Sequence, residues 1–258
     1  MHMKKLIITD LDGTLLTDQK EISMYTAQTL RACQARGIPV AFATARARRV
    51  ALGFSAAFEP DYILANGGAS LYDRDGLLEE IAVPAAAADA LTAQLLALPE
   101  VACLSVEARE TQYTTYQGAP WGKPWENWNA VYNDFRTPLG LDSPKISVEC
   151  AAPEHVRALL EAYPELYYCA NSGEAWGQIY QQGAEKSLAV RRLARVLGVE
   201  LRDTVAFGDD FNDAEMLRAC GIGVAMENAA PQVKAAADAI CASNNSDGVA
   251  RWLAENIL

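Results

Sequence analysis

The chain has 258 residues, 51% hydrophobic and 21% charged, with a formal net charge of −11. That length suits one large or two modest domains. No apolar run approaches the ~20 residues needed to cross a bilayer, and a nucleic-acid binder would carry the opposite charge balance, because it must neutralise backbone phosphates.

Lys4 to Thr9 is a short, β-branched apolar run and reads as a buried strand, running directly into Asp10-Leu11-Asp12-Gly13-Thr14. Its apolar part is too brief for a signal peptide. Ser23 is placed to cap a helix that runs to about Arg36, with Gly37 as its terminator. Ile38–Ala43 predicts a second buried strand, Arg46–Phe58 a helix and Tyr62–Ala65 a third strand, followed by the turn signal Asn66-Gly67-Gly68. Near-continuous apolar strands alternating with helices argue for a parallel sheet covered on both faces.

The middle of the chain has a different rhythm. Pro84–Leu98 is an Ala- and Leu-rich helix, followed by alternating strands at Val101–Val106 and Gln112–Tyr116. An aromatic segment holds Trp121, Trp125 and Trp128; Lys145–Cys150 then reads as a strand and Pro153–Tyr163 as a helix, with two more strands ending near Tyr180. From Ala184 the first rhythm returns: helix Glu185–Leu197, strand Thr204–Phe207, Gly208-Asp209-Asp210, helix Phe211–Ala219, strand Ile222–Val224, and helices near Ala230–Ala237 and Asp247–Asn256. The expected architecture is therefore α/β: a doubly wound, Rossmann-like parallel-sheet core from residues 1–82 and 183–258, with residues 83–182 inserted as an α+β domain.

Chemistry concentrates at the carboxyl ends of the predicted strands, where open parallel sheets bind ligands. Asp10 and Asp12 are two apart in an extended segment and point the same way, so both can address one substrate atom. Read alone, the segment also fits a solvated acidic turn. Thr44 can donate to a phosphate oxygen or cap the next helix. Lys186 opens a helix, where its charge opposes the macrodipole unless an anion is near. Gly208–Asp213 gathers three carboxylates and a carboxamide, hard oxygen donors that suit magnesium. A zinc site or a Ser-His-Asp triad has little to draw on, since His2 and His155 are the only histidines. The six cysteines form no C-x-x-C pair and read as free thiols of a reducing cytoplasm.

Taken together, these motifs resemble the haloacid dehalogenase superfamily, and within it the Cof-like sugar-phosphatase group, whose cap domain is inserted between the second and third motifs. Asp10–Thr14 matches the first motif, Thr44 the second, Lys186 the third and Gly208–Asp213 the fourth. Asn66-Gly67-Gly68 and the tail Asn244–Ala250 are also similar to group features. Two positions depart from the usual glycine, Ala45 after Thr44 and Ser187 after Lys186. The resemblance implies magnesium-dependent hydrolysis of a phosphomonoester such as a sugar phosphate. It implies Asp10 as nucleophile and Asp12 as general acid and base. Mg²⁺ is expected on Asp10, the Asp12 backbone carbonyl and Asp209, with phosphate bound by Thr44, Lys186 and Asn212. Asp213, Ala45 and Arg46 are expected just behind those residues. Trp121, Trp125, Trp128, Trp176 and Tyr180 are candidates either to meet substrate or to form the cap's own core. The alternatives are a phosphomutase of the same superfamily or a receiver-like phospho-acceptor module. The expected partner is a small phosphorylated metabolite, not nucleic acid or a membrane, acting on a monomer or homodimer.

Overall fold

In the computed structural model the described residues are 5–117, 129–170 and 175–258. Trp121, Trp125 and Trp128 lie outside them. The chain divides into two compact units, Met1–Glu79 with Glu185–Leu258, and Glu80–Ala184.

The first unit is organised by an eight-stranded sheet in the order β14-β13-β12-β1-β2-β3-β4-β5. Its strands are β1 (Leu6–Thr9), β2 (Val40–Ala43), β3 (Tyr62–Ala65), β4 (Ser70–Tyr72), β5 (Leu77–Glu80), β12 (Thr204–Gly208), β13 (Ile222–Met226) and β14 (Ala239–Cys241). From β14 to β3 every pairing is parallel; β4 runs antiparallel to β3. All of β1, β2 and β12 is buried, as expected of strands covered on both faces. Leu6, Ile7 and Ile8 are fully buried, each contributing about 1.5–3 kcal/mol of hydrophobic stabilisation. Helix α1 (Met24–Ala35) packs with α8 (Gly248–Asn256), and α5 (Lys186–Leu197) packs with α6 (Ala214–Ala219). The Ser23 side chain accepts from the Thr26 N–H to start α1, and Gly37 follows its end in the left-handed region.

Several predicted elements change form. The helix expected over Arg46–Phe58 shrinks to α2 (Arg48–Leu52), and three-residue turns carry the chain on through Gly53, Phe54 and Ser55. Glycine and serine hold a helix poorly there, and tighter bonds take over. The helix near Ala230–Ala237 is only α7 (Pro231–Lys234). The one expected over Phe211–Ala219 splits into a 3-10 turn, Phe211–Asp213, and α6. The short strands β4, β5 and β14 were not foreseen, because three or four residues carry little periodicity.

The second unit has a six-stranded sheet in the order β10-β11-β9-β6-β7-β8. Its strands are β6 (Val101–Ala108), β7 (Thr111–Thr114), β8 (Ala130–Tyr132), β9 (Lys145–Cys150), β10 (Leu166–Ala170) and β11 (Trp176–Gln181). Helices α3 (Ala85–Leu96) and α4 (Pro153–Leu160) share one apolar core with this sheet, built on Leu91, Leu95, Val156, Leu104, Val106, Ile146, Val148 and Ile179. Alternation along the strands then puts Ser105, Glu107, Ser147, Gln178 and Tyr180 on the opposite face. Of the two described aromatic candidates, Tyr180 is buried on that face with its ring 5.4 Å from that of Tyr167, and Trp176 is half-buried. This is the inserted α+β cap of the α/β fold. Among the described residues no helix is long and apolar enough to cross a membrane.

Candidate active site

The strand order reverses beside β1: β2 and β3 follow on one side, β12, β13 and β14 on the other. Connections leaving in opposite directions open a crevice at the carboxyl ends of the two central strands. Register pairs Thr9 with Phe207, and the Asp10 N–H donates to the Phe207 carbonyl at 3.0 Å. Asp10 and Asp209, 199 positions apart in sequence, therefore emerge side by side.

The turn after Asp10 is shaped by Gly13, whose φ of +77° an L side chain rarely adopts. A Cβ there would stand 2.3 Å from Asp209 Oδ2, so the backbone reaches this close only because the residue is glycine. The Thr14 hydroxyl donates to Asp209 Oδ1 at 2.6 Å, and the Asn228 amide donates to the Gly13 carbonyl at 2.7 Å. Further along, Asn244 donates to the Leu16 carbonyl and to Asp18, and Asn245 donates to Asp18. The Asp247 carboxylate accepts from the Ser23 and Thr26 hydroxyls. The polar tail of the chain thus fastens the loop that carries the first acidic pair.

Lys186 is the first residue of α5 and is buried. Its Nζ donates to Asp10 Oδ1 and to Asp213 Oδ1, each at 2.7 Å, and lies 3.4 Å from Asn212 Oδ1. A buried ammonium at a helix N-terminus is doubly unfavourable by itself. Burial pulls the Lys186 pKa down, but the Asp10 and Asp213 carboxylates outweigh it and hold the group charged, above its ordinary value. Asp213 is fully buried and also accepts from the Asp209 and Asp210 N–H groups, both at 3.1 Å. Both of its oxygens are committed to the scaffold. Asn212 lies at the exposed rim.

Carboxylate oxygens of Asp10, Asp209 and Asp213 lie within 4.8 Å of one another. One ammonium cannot balance this density of acid. Burial first, then the charges of Asp213, Asp12 and Asp209, push Asp10 well above the usual carboxylate range despite Lys186. Burial likewise pushes Asp209 up to about 6, with the hydrogen bond from Thr14 opposing. Such a group of hard oxygen donors, short of positive charge, fits a small divalent cation.

The Asp12 carboxylate stands outside that group. Its Oδ2 accepts from Arg46 Nε at 2.6 Å, and its Oδ1 accepts from Arg46 Nη2 at 2.8 Å and Lys20 Nζ at 2.6 Å. Burial raises its pKa, but the hydrogen bonds and charges of Arg46 and Lys20 prevail and bring it down to about 2. The Asp12 carboxylate is thus taken up by two cationic side chains. Thr44 follows the end of β2 and is buried, and its Oγ1 accepts from the Arg46 N–H at 3.1 Å. The Gly67 N–H donates to the Thr44 carbonyl and the Asn66 N–H to the Arg46 carbonyl, so Asn66–Gly68 braces the Thr44-Ala45-Arg46 turn. Lys20 and Asn228 had no signal in the sequence, since each is an ordinary loop residue until the fold brings it to the site.

The profile of the haloacid dehalogenase-like hydrolase family matches residues 7–253. A phosphatase of Bacillus subtilis, YwpJ, is 30% identical, over 96% of this chain and 98% of its own length. The phosphoglycolate phosphatase of Methanopyrus kandleri is 29% identical, over 97% and 96%. The crystal structure of a haloacid dehalogenase-like hydrolase from Bacteroides thetaiotaomicron superposes with a TM-score of 0.85 at 25% identity, covering 98% of this chain and 99% of that one. With its carboxylates and lysine gathered at the reversal point of the sheet, the chain belongs to the haloacid dehalogenase-like hydrolase family, as an enzyme of the phosphatase type.

Proposed function

We propose that the protein hydrolyses a phosphomonoester of a small metabolite, such as a sugar phosphate, with Asp10 as nucleophile and Mg²⁺ as cofactor. The observation that carries this reading is the meeting of Asp10, Lys186 and the Asp209 loop, with Lys186 Nζ bonded at 2.7 Å to both Asp10 and Asp213. The Asp10 carboxylate attacks phosphorus and the bond to the leaving oxygen breaks; Asp12, ionised in the free protein, takes up a proton when the anionic substrate binds and passes it to the departing alkoxide. Water then attacks the aspartyl-phosphate, the Asp10–phosphorus linkage breaks, and Asp12 takes the water's proton. Thr44, whose hydroxyl oxygen already accepts from the Arg46 N–H, has its O–H to offer a phosphoryl oxygen. Lys186 offers positive charge to the same group, with Asn212 beside it. Asp10, Asp209 and the Asp12 carbonyl would hold Mg²⁺, while Asp213, its oxygens already used, holds Lys186 and the loop. The cation, when bound, supplies the charge that lets an anionic nucleophile approach an anionic substrate. Six free cysteines support a reducing, cytoplasmic setting.

The test is a panel of phosphorylated metabolites scored for inorganic phosphate with Mg²⁺ and with chelator, on the native protein and Asp10→Asn. Magnesium-dependent release that Asp10→Asn abolishes is expected. Conversion of one sugar phosphate into its isomer without release would mean a phosphomutase. Undiminished release by Asp10→Asn would overturn the nucleophile.

A further inference from the structure

The grip on Asp12 goes beyond what acid–base chemistry alone requires. A carboxylate that merely ends a strand would be met by water. Here it is met by a guanidinium fork and an ammonium, and the two cations are mounted differently. Arg46 has its N–H on Thr44 Oγ1, its carbonyl accepting from the Asn66 N–H, and its guanidinium 4.9 Å from the centre of the Phe54 ring. Its side chain is only 16% exposed. Lys20 reaches Asp12 from a turn whose φ is +64°, on a flexible stem 29% exposed. A planar fork fixes the plane of a carboxylate, whereas an ammonium fixes only a distance.

We infer that Arg46 is the positioning residue for Asp12. It orients the acid–base carboxylate from the same turn that carries the phosphate-binding Thr44, so that leaving-group protonation and phosphoryl binding share one rigid support. The inference rests on the proposed phosphatase chemistry. The two oxygens of Asp12 differ in consequence. Oδ1 already accepts two hydrogen bonds, from Lys20 and Arg46, and Oδ2 accepts one, from Arg46, among the described residues. Oδ2 is therefore the oxygen with a lone pair left to exchange a proton with the leaving group or with water.

Leaving groups of different acidity separate positioning from mere architecture. p-Nitrophenolate departs without a proton, whereas an alkyl alkoxide needs one. A displaced Asp12 therefore slows an alkyl phosphate more than p-nitrophenyl phosphate, and general disruption of the site slows both alike. The experiment measures kcat/KM for both substrates, with Mg²⁺, on the native protein, Arg46→Ala, Arg46→Lys, Lys20→Met and Asp12→Asn. The expected result is that the alkyl-to-aryl ratio falls at least fivefold in Arg46→Ala, in the same direction as in Asp12→Asn. Arg46→Lys should stay depressed, because it keeps the charge and loses the fork, and Lys20→Met should change the ratio less than either. A ratio that moves less than fivefold in Arg46→Ala, or full rescue by Arg46→Lys, overturns the inference. If Arg46→Ala does not fold, as judged by circular dichroism, the ratio in Arg46→Lys decides by the same fivefold threshold. Failure of the native protein to hydrolyse either substrate would instead count against the phosphatase reading itself.

Discussion

Replacing Gly13 by alanine puts one methyl group where the structure has no room for it. The new Cβ would lie 2.3 Å from Asp209 Oδ2 and 2.8 Å from Asp209 Cγ. Ordinary contact requires about 3.5 Å, so the carboxylate must withdraw by about an ångström. That movement is enough to break the 2.6 Å hydrogen bond from Thr14 to Asp209. A hydrogen bond to a charged acceptor contributes about 1.5–3 kcal/mol. Holding alanine at a φ of +77° adds about 1–2 kcal/mol of strain. Partial relaxation leaves an expected loss of about 2–4 kcal/mol, and a midpoint of thermal unfolding lower by about 5–15 °C. Activity should suffer more than stability, because a misplacement of this size can cost about a hundredfold in rate. Two assays follow it: unfolding by circular dichroism, and phosphate release across a magnesium titration, where half-activation should need more Mg²⁺. A Gly13→Ala protein with native midpoint and native magnesium response would refute the packing argument and the place of Asp209 beside the first acidic turn.

Asp209→Asn should stabilise the metal-free protein at pH 7 and have little effect near pH 4. The folded-state pKa of Asp209 is raised to about 6, so its contribution to stability is fully present below about 4 and lost as pH rises through 6. A shift of this size corresponds to about 2–3 kcal/mol, and urea unfolding in chelator at the two pH values measures it; the same difference at both would sink the idea. Asp213→Ala takes one of two carboxylate partners from buried Lys186, leaving it Asp10, and strands two backbone N–H groups. It should cost about 3–5 kcal/mol, read from the urea midpoint, and a loss under 1 kcal/mol would show that Asp213 does not organise the loop. In the cap, Gly177→Ala would drive a methyl to 2.2 Å from Tyr168 Cζ, whose ring faces Arg157 at 5.2 Å. Overpacking of this kind costs about 1–3 kcal/mol, and hydrogen exchange in β10 and β11 should rise; unchanged protection would mean the ring moves aside freely.

Much of the fold could be read along the chain because its signals are local. Apolar β-branched runs specify β1, β2, β3 and β12, and Ser23 and Gly37 mark the ends of α1 through capping and left-handed backbone. The types and spacing of Asp10, Asp12, Thr44, Lys186 and Asp209, set after strands or at a helix start, likewise carry the resemblance to a phosphatase family before any coordinate is known. What is not local was silent. Strands of three or four residues depend on a neighbour to pair with, and the helix expected from Arg46 starts only at Arg48 because the Arg46 backbone is tied to Thr44 and Asn66. The same holds within the site. That Asp213 is saturated by Lys186 and two N–H groups, that Asp12 turns away to Arg46 and Lys20, and that Asn228 and Asn244 fasten the loop all depend on residues far apart in sequence. Sequence alone determined which groups could do the chemistry, because residue type and strand-end placement are properties of short segments. Only the tertiary structure decided which carboxylate keeps which cation, because that choice is made by distances across the reversal point of the sheet.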